Sequence, residues 1–242
     1  MENVEFFVNK QKLKGVIFYP QIKKDKNPAI LFVHGWTSMK ERSFQYAQAL
    51  SKLGFLCFLF DMRGHGQSEG DIKTFTIKDF SDDVIAAYDY LSEVKSVNKE
   101  NISAVASSFG CYLIALLSQK RKIKNLVMRA PADYANEEFN RPKSLTSGDE
   151  PEVMAWRKKI KQPNETYALE AINNFSGNIL IIEAELDDTI PHETIENYAN
   201  AVKDKNKLTH IVLKGAPHSI AEGKFRDQIT QILVNWFKGT RK

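Results

Sequence analysis

Cysteine is almost missing from this chain. Two thiols, Cys57 and Cys111, in 242 residues cannot build the disulfide framework of a small secreted scaffold, and neither has a CxxC or metal-type neighbourhood. No apolar run approaches the roughly 18 residues of a membrane span, so stable membrane insertion is not expected. The first ten residues carry acidic side chains instead of the apolar block of a signal peptide. A reducing cytoplasm is therefore the expected location. A strong charge of one sign is lacking too: 34 Lys plus Arg against 30 Asp plus Glu leaves +4, too mild a surplus to indicate a nucleic-acid partner. His65, His192 and His210 show no HExxH or comparable spacing, so no metal is expected. There is no internal repeat and no low-complexity segment. Glycine is scarce as well, with only 12 residues, which makes its placement informative.

What is present is ordinary globular material, 43% hydrophobic and 26% charged, enough for a core that needs no disulfide or metal staple. The whole chain, 1–242, fits one α/β domain. Residues 4–8 and 12–19 read as a hairpin across the polar Asn9-Lys10-Gln11. Residues 29–33 and 55–60 are continuously apolar, as strands covered on both faces are. Strands are also expected at 102–106, 125–128, 178–182 and 208–213. Helical stretches lie between them at 42–53, 77–94, 109–119, 193–202 and 221–237. In 77–94, Phe80, Val84, Ala87, Tyr88 and Leu91 recur at three- and four-residue steps and make one buried stripe. The alternation predicts eight strands, mostly parallel, flanked by helices, with an antiparallel hairpin at one edge. Only 131–175 breaks the rhythm. About 45 residues stand where a crossover needs a dozen or so, rich in charge, turn formers and scattered aromatics. This interval reads as a short lid or cap inserted into the domain.

The most informative stretch is Ile102-Ser103-Ala104-Val105-Ala106-Ser107-Ser108-Phe109-Gly110. An apolar strand runs straight into Ser108 and a helix pattern starts at once, the nucleophile-elbow order G-x-S-x-G with Ala106 at the first glycine. The alternative is a serine that merely caps a helix. Ser107 fits less well, because Phe109 would then fall where glycine is wanted. An orienting acid and a base should follow later strands in that order. The acidic loop Glu183-Ala184-Glu185-Leu186-Asp187-Asp188 and the loop Gly215-Ala216-Pro217-His218 follow 178–182 and 208–213 respectively. His218 is placed to take the proton of Ser108 while a carboxylate holds its tautomer. After 29–33 comes His34-Gly35-Trp36, whose glycine permits a tight turn. The amides of Trp36 and Phe109 would then form an oxyanion hole. His34 reads as a brace of that loop. The run 61–70 holds three glycines but not the GxxxxGK[ST] order of a phosphate loop. It reads as structural, with Asp61 and Arg63 making polar contacts near the oxyanion turn. Five of the 12 glycines (35, 64, 66, 70 and 110) lie in these three loops.

These segments together resemble the α/β-hydrolase superfamily, in particular its small esterases, acylglycerol lipases and serine aminopeptidases. The resemblance covers nearly the whole chain outside the 131–175 interval. It implies Ser108 as nucleophile, His218 as base and Asp187 as acid, since Asp187-Asp188-Thr189-Ile190-Pro191 follows the family's D-x-x-V-P pattern; Asp188 is the fallback. It also implies an acyl or aryl pocket under the cap and no cofactor. Trp36, Tyr134 and Trp156 are the expected substrate-binding aromatics. The activity expected is cleavage of a small-molecule carboxylic ester, short- to medium-chain or aryl, through an acyl-enzyme. A peptidase or amidase would need an acidic anchor for an amine, for which Asp133, Glu137 and Glu138 are candidates. A non-catalytic binding protein of the same fold is the third alternative. Cys57 reads as core and Cys111 as packed beneath the elbow. Asp82 and Asp83 read as a solvated first helical turn, and 157–161 as an exposed basic helix face, with attraction of an anionic substrate as the alternative.

Overall fold

In the computed structural model, residues 1–146, 151–220 and 223–240 are described. Eight strands form one sheet: β1 (Glu2–Val8), β2 (Gln11–Phe18), β3 (Asn27–Val33), β4 (Leu56–Phe60), β5 (Val97–Ser107), β6 (Asn125–Arg129), β7 (Asn178–Leu186) and β8 (Leu208–Pro217). Their order is β1-β2-β4-β3-β5-β6-β7-β8. The β1–β2 and β2–β4 pairs are antiparallel and all others parallel. The hairpin closes through Asn9 and Lys10, both with positive φ (48° and 71°), between the facing residues Val8 and Gln11. Two consecutive left-handed residues give the turn whose twist suits a two-residue hairpin.

Strand periodicity divides the interior into two cores. Leu31, Phe58, Phe60, Ala104 and Ala106 face one side, where α2 (Ile77–Glu93), α3 (Phe109–Ser118), α5 (Tyr167–Asn174) and α6 (His192–Ala201) cover the sheet. Their alternates Ile30, Phe32, Cys57, Leu59 and Val105 face the other side, under α1 (Phe44–Lys52) and α7 (Lys224–Gly239). The stripe expected on α2 is buried along its length. Its first turn is closed by a reciprocal cap, in which Thr76 Oγ1 accepts from the Asp79 amide and Asp79 returns the bond to the Thr76 amide. No helix among the described residues is long and apolar enough to cross a membrane.

The structure differs from expectation at several places. The helix expected at 42–53 is preceded by a 3₁₀ turn, Lys40–Ser43, and α1 begins only at Phe44. Lys40 is pinned there through its amide and its ammonium, both bonded to Asp61 (2.8 and 2.6 Å). The last helix starts at Lys224, and residues 221–222 of the expected span lie outside the described residues. Within 131–175, α5 is the crossover helix itself, with Ala168, Leu169, Ala171 and Ile172 buried in the core. The described residues before α5 include α4 (Pro151–Arg157), and residues up to 146 are tied to α2 and the segment leading into it by Lys143 N–H to Phe75 O, Lys78 N–H to Phe139 O and Ser144 Oγ to Lys73 O, at 2.8 to 2.9 Å. Asp83 is not a solvated carboxylate. It is wholly buried against Arg63, whose amide and Nε donate to it at 2.9 and 2.8 Å. Of 157–161, Lys158, Lys159 and Ile160 are exposed as expected, but they lie past the helix and the two end residues are buried. The helix ends at Arg157, which donates to Thr189 O, while Lys161 donates to Trp156 O and sits over that ring. Arg157 and Lys161 are 4% and 6% exposed.

The parallel order reverses around β3: β4 lies on one flank and β5 on the other. Loops leaving neighbouring strands that are followed in opposite directions open a crevice at their carboxyl ends. The loop Gly35-Trp36 and residue Ser108 both lie at this crevice.

Candidate active site

Ser108 joins β5 to α3 with φ 51° and ψ −120°. A side-chain-bearing residue held there is strained by about 1–3 kcal/mol, and the surroundings impose it. The Ser108 amide donates to Arg129 O at 2.8 Å, and its carbonyl accepts from the amides of Cys111 and Ala132 at 2.9 and 3.3 Å. The elbow is pressed against the end of β3: a β-carbon on Gly110 would lie 2.6 Å from the carbonyl oxygens of Val33 and His34. Glycine is required there for space. Ala106 pairs in register with Val33 and Met128 and its methyl group fits the core, which is why alanine serves where the pattern has glycine. Cys111 is buried beneath the elbow, with its thiol on Arg129 O.

His218 Nδ1 lies 2.8 Å from Asp187 Oδ2. The other carboxylate oxygen of Asp187 accepts the amides of Thr189 and Ile190 at 3.0 and 2.7 Å. A carboxylate anchored by two amides is an acceptor at Nδ1, so the ring proton sits on Nδ1 and Nε2 keeps its lone pair. Asp188 is exposed and bonds Thr189 Oγ1 at 3.3 Å instead. Arg129 Nη1 holds the His218 carbonyl at 2.8 Å. Gly35, Trp36, Ser108, Tyr134 and His218 share the wall of one cavity of about 560 Å³. No hydrogen bond joins Ser108 to His218 among the described residues, a looseness common to such pairs before substrate arrives.

Phe109 opens α3, so its amide has no acceptor within the helix; its ring is fully buried against Trp36, Phe80 and Tyr134. Trp156 is not on the main cavity. It lines a smaller one of about 220 Å³ beside Asp133, Glu137 and Glu138. Among the described residues no group of three or more His, Cys, Asp or Glu is placed to hold a metal.

The turn carrying Trp36 is braced by two imidazoles. His34 Nε2 accepts the Met62 amide at 3.0 Å, while Nδ1 donates to Gly35 O at 2.8 Å. His65 Nε2 accepts the Thr37 amide at 3.3 Å. Burial, reinforced by His65, pushes His34 down to about 4. Its folded pKa lies below its unfolded value, so on acidification the unfolded chain takes up the proton first. Stability is therefore complete above about 6.5 and is lost towards about 4, by about 2–3 kcal/mol at pH 4.5. Urea midpoints at pH 7.5 and 4.5 check this: His34→Gln should have a visibly shallower pH dependence than the parent protein.

Asp61 bonds Lys40, a few residues past the Trp36 turn, whereas Arg63 turns to Asp79 and Asp83 on α2; Gly66 has positive φ (51°) where a β-carbon would strike the Asp61 carboxylate. Sequence reading missed Lys40 as the partner of Asp61. It also missed His65 as a second brace and Lys143 on the cavity wall, while Arg157, singled out within the basic run, lies on that wall instead of facing solvent.

Known proteins agree with this architecture. The α/β-hydrolase fold family matches residues 28–156, and the chain belongs to it. An uncharacterized protein of Mycobacterium tuberculosis is 24% identical over 209 residues, covering 86% of this chain and 69% of that one. The human mitochondrial palmitoyl-protein thioesterase ABHD10 is 26% identical over 139 residues, 55% of this chain and 43% of its own. Among solved structures, Est1E of Butyrivibrio proteoclasticus bound to ferulic acid superposes with a TM-score of 0.76 at 18% identity, over 98% of both chains.

Proposed function

We propose that the protein is a serine hydrolase that cleaves carboxylic esters, short- to medium-chain or aryl, through an acyl-enzyme. The observation that carries the reading is the strained Ser108 at the head of α3, on one cavity wall with an Asp187-oriented His218. In this mechanism Ser108 Oγ attacks the carbonyl as His218 Nε2 removes its proton. The negative charge on the carbonyl oxygen meets the amides of Trp36 and Phe109 and the positive end of α3. Collapse of the tetrahedral intermediate expels the alcohol, which receives the proton from His218. Water, activated by the same imidazole, then releases the acid. Asp187 holds the ring and stabilises the imidazolium. Side chains and amides of this chain serve every step.

The cavity's size and the rings of Trp36 and Tyr134 suit an aryl or medium acyl group. Est1E, crystallised with an aryl acid, and the thioesterase ABHD10, named for acyl cleavage, support an acyl hydrolase. The segment between β6 and α5 acts as the cap of this pocket. Asp133, Glu137 and Glu138 lie on the smaller cavity instead, which favours the ester over an amine-anchored peptide. A fluorophosphonate probe should label Ser108 stoichiometrically, with peptide mapping as the readout. Nitrophenyl esters of graded acyl length and aryl esters should then give a maximum within the short-to-medium range. Failure of labelling in folded protein rejects the nucleophile.

A further inference from the structure

The larger cavity is charged on one side only. Arg42, Arg129, Lys143 and Arg157 line it, while no Asp or Glu is among its described lining residues. None of the four forms an ion pair with a described carboxylate. Arg129 and Arg157 spend a donor each on a carbonyl, those of His218 and Thr189, which neutralises nothing. Arg42 is exposed, but Arg157 is 4% exposed and Lys143 fully buried. A net charge of +4 over 242 residues does not by itself gather four cations and no anion among the described residues around one hollow.

Lys143 is the sharpest case. Its ammonium lies over the rings of Trp36, Tyr134 and Phe109, at 4.8, 4.8 and 5.2 Å from their centroids. Ring faces stabilise a cation, but they accept no conventional hydrogen bond, and Nζ has no hydrogen-bond partner among the described residues. An ammonium has three donors, and a buried donor without an acceptor is destabilising. The position is not accidental slack, because the Lys143 amide is fastened to Phe75 O at 2.8 Å. The charged groups around it are Arg157, which repels it, Glu138, which is half-buried and belongs to the smaller cavity, and His65. Burial first, then Arg157, lowers the ammonium to about 7, as an unpaired cation in a dry site must be.

We infer that the substrate is itself an anion: beyond its scissile carbonyl it carries a carboxylate or phosphate, which docks on Lys143 with Arg157 beside it. That oxyanion supplies the missing acceptor and offsets the repulsion between the two cations. The inference rests on the ester-hydrolase reading of the same cavity.

Matched esters test it. On the acyl side, monomethyl glutarate is compared with methyl 5-methylhexanoate, in which an isopropyl group replaces the carboxylate. On the alcohol side, 2-carboxyethyl butyrate and 2-phosphonoethyl butyrate are compared with isopentyl butyrate. The wild-type protein should prefer at least one charged ester by tenfold or more in kcat/KM, and the preferred arm identifies the charged end and the anion. Lys143→Met should cut that preference at least tenfold, through KM, and Lys143→Arg should restore part of it. Equal rates for every pair in the wild type, or an equal fall for charged and uncharged esters in Lys143→Met, overturns the inference. If Lys143→Met does not fold, Arg157→Met must show the same selective loss. Calorimetry on Ser108→Ala separates the two claims. Retained turnover there defeats the ester reading, whereas lost turnover with no preference for binding the charged ester defeats only the anion.

Discussion

Replacing Ser108 with alanine is expected to lower kcat/KM for the best ester by about 10⁴-fold or more while the protein stays folded. The removed hydroxyl makes no hydrogen bond to a described residue. The bonds that hold the position, to Arg129 O and from the amides of Cys111 and Ala132, are backbone bonds that alanine keeps. Alanine also keeps the β-carbon, and so inherits the same left-handed geometry, φ 51°. A burst of nitrophenol should vanish with the steady-state rate, and Tm should move by no more than a degree or two. Activity above a tenth of wild type would remove Ser108 from the reaction. An equal loss in Ser107→Ala would move the nucleophile by one residue.

The second large effect concerns the two adjacent aspartates. Asp187→Asn should lower kcat by about 10³–10⁴-fold, with KM little changed, and Asp188→Asn should stay within about threefold. Asp187 has one oxygen on the His218 ring at 2.8 Å and the other on two amides. Those amides continue to need an oxygen, so the asparagine is held with its NH₂ towards Nδ1. The ring must then accept at Nδ1, carry its proton on Nε2, and lose the lone pair that would take the serine proton. Asp188 contacts only a neighbouring hydroxyl, at 3.3 Å. Steady-state kinetics on the two variants across pH 5–9 decide the matter: a large fall in the 188 variant alone exchanges their roles.

Sequence disclosed what local physics dictates. Continuously apolar 29–33 and 55–60 lie in the doubly covered strands β3 and β4, and the 3.6-residue stripe of 77–94 is the buried face of α2. The order of elbow, acidic loop and histidine loop was equally legible, because each follows a strand and strand ends are easy to place. Long-range partners were not. Arg63 and Asp83 are 20 residues apart, and nothing around Asp83 distinguishes a buried acid from a solvated one on the first turns of a helix. Arg157 and Lys161, at the two ends of the basic run, misled for the same reason. Whether such a charge is solvated depends on a carbonyl at Thr189 or a ring at Trp156, and periodicity carries no information on either. Lys143 lay in an interval with no pattern to read, so its aromatic cage emerged only when β3, α3 and the cap were brought together.

The left-handed backbone at Ser108 bears on the idea of a silent receptor. Glycine would relax that elbow by about 1 kcal/mol. A chain that needed only a pocket wall at this position would therefore be better served without a side chain, whereas the proposed hydrolase needs the hydroxyl that the awkward hinge lifts off the end of β5.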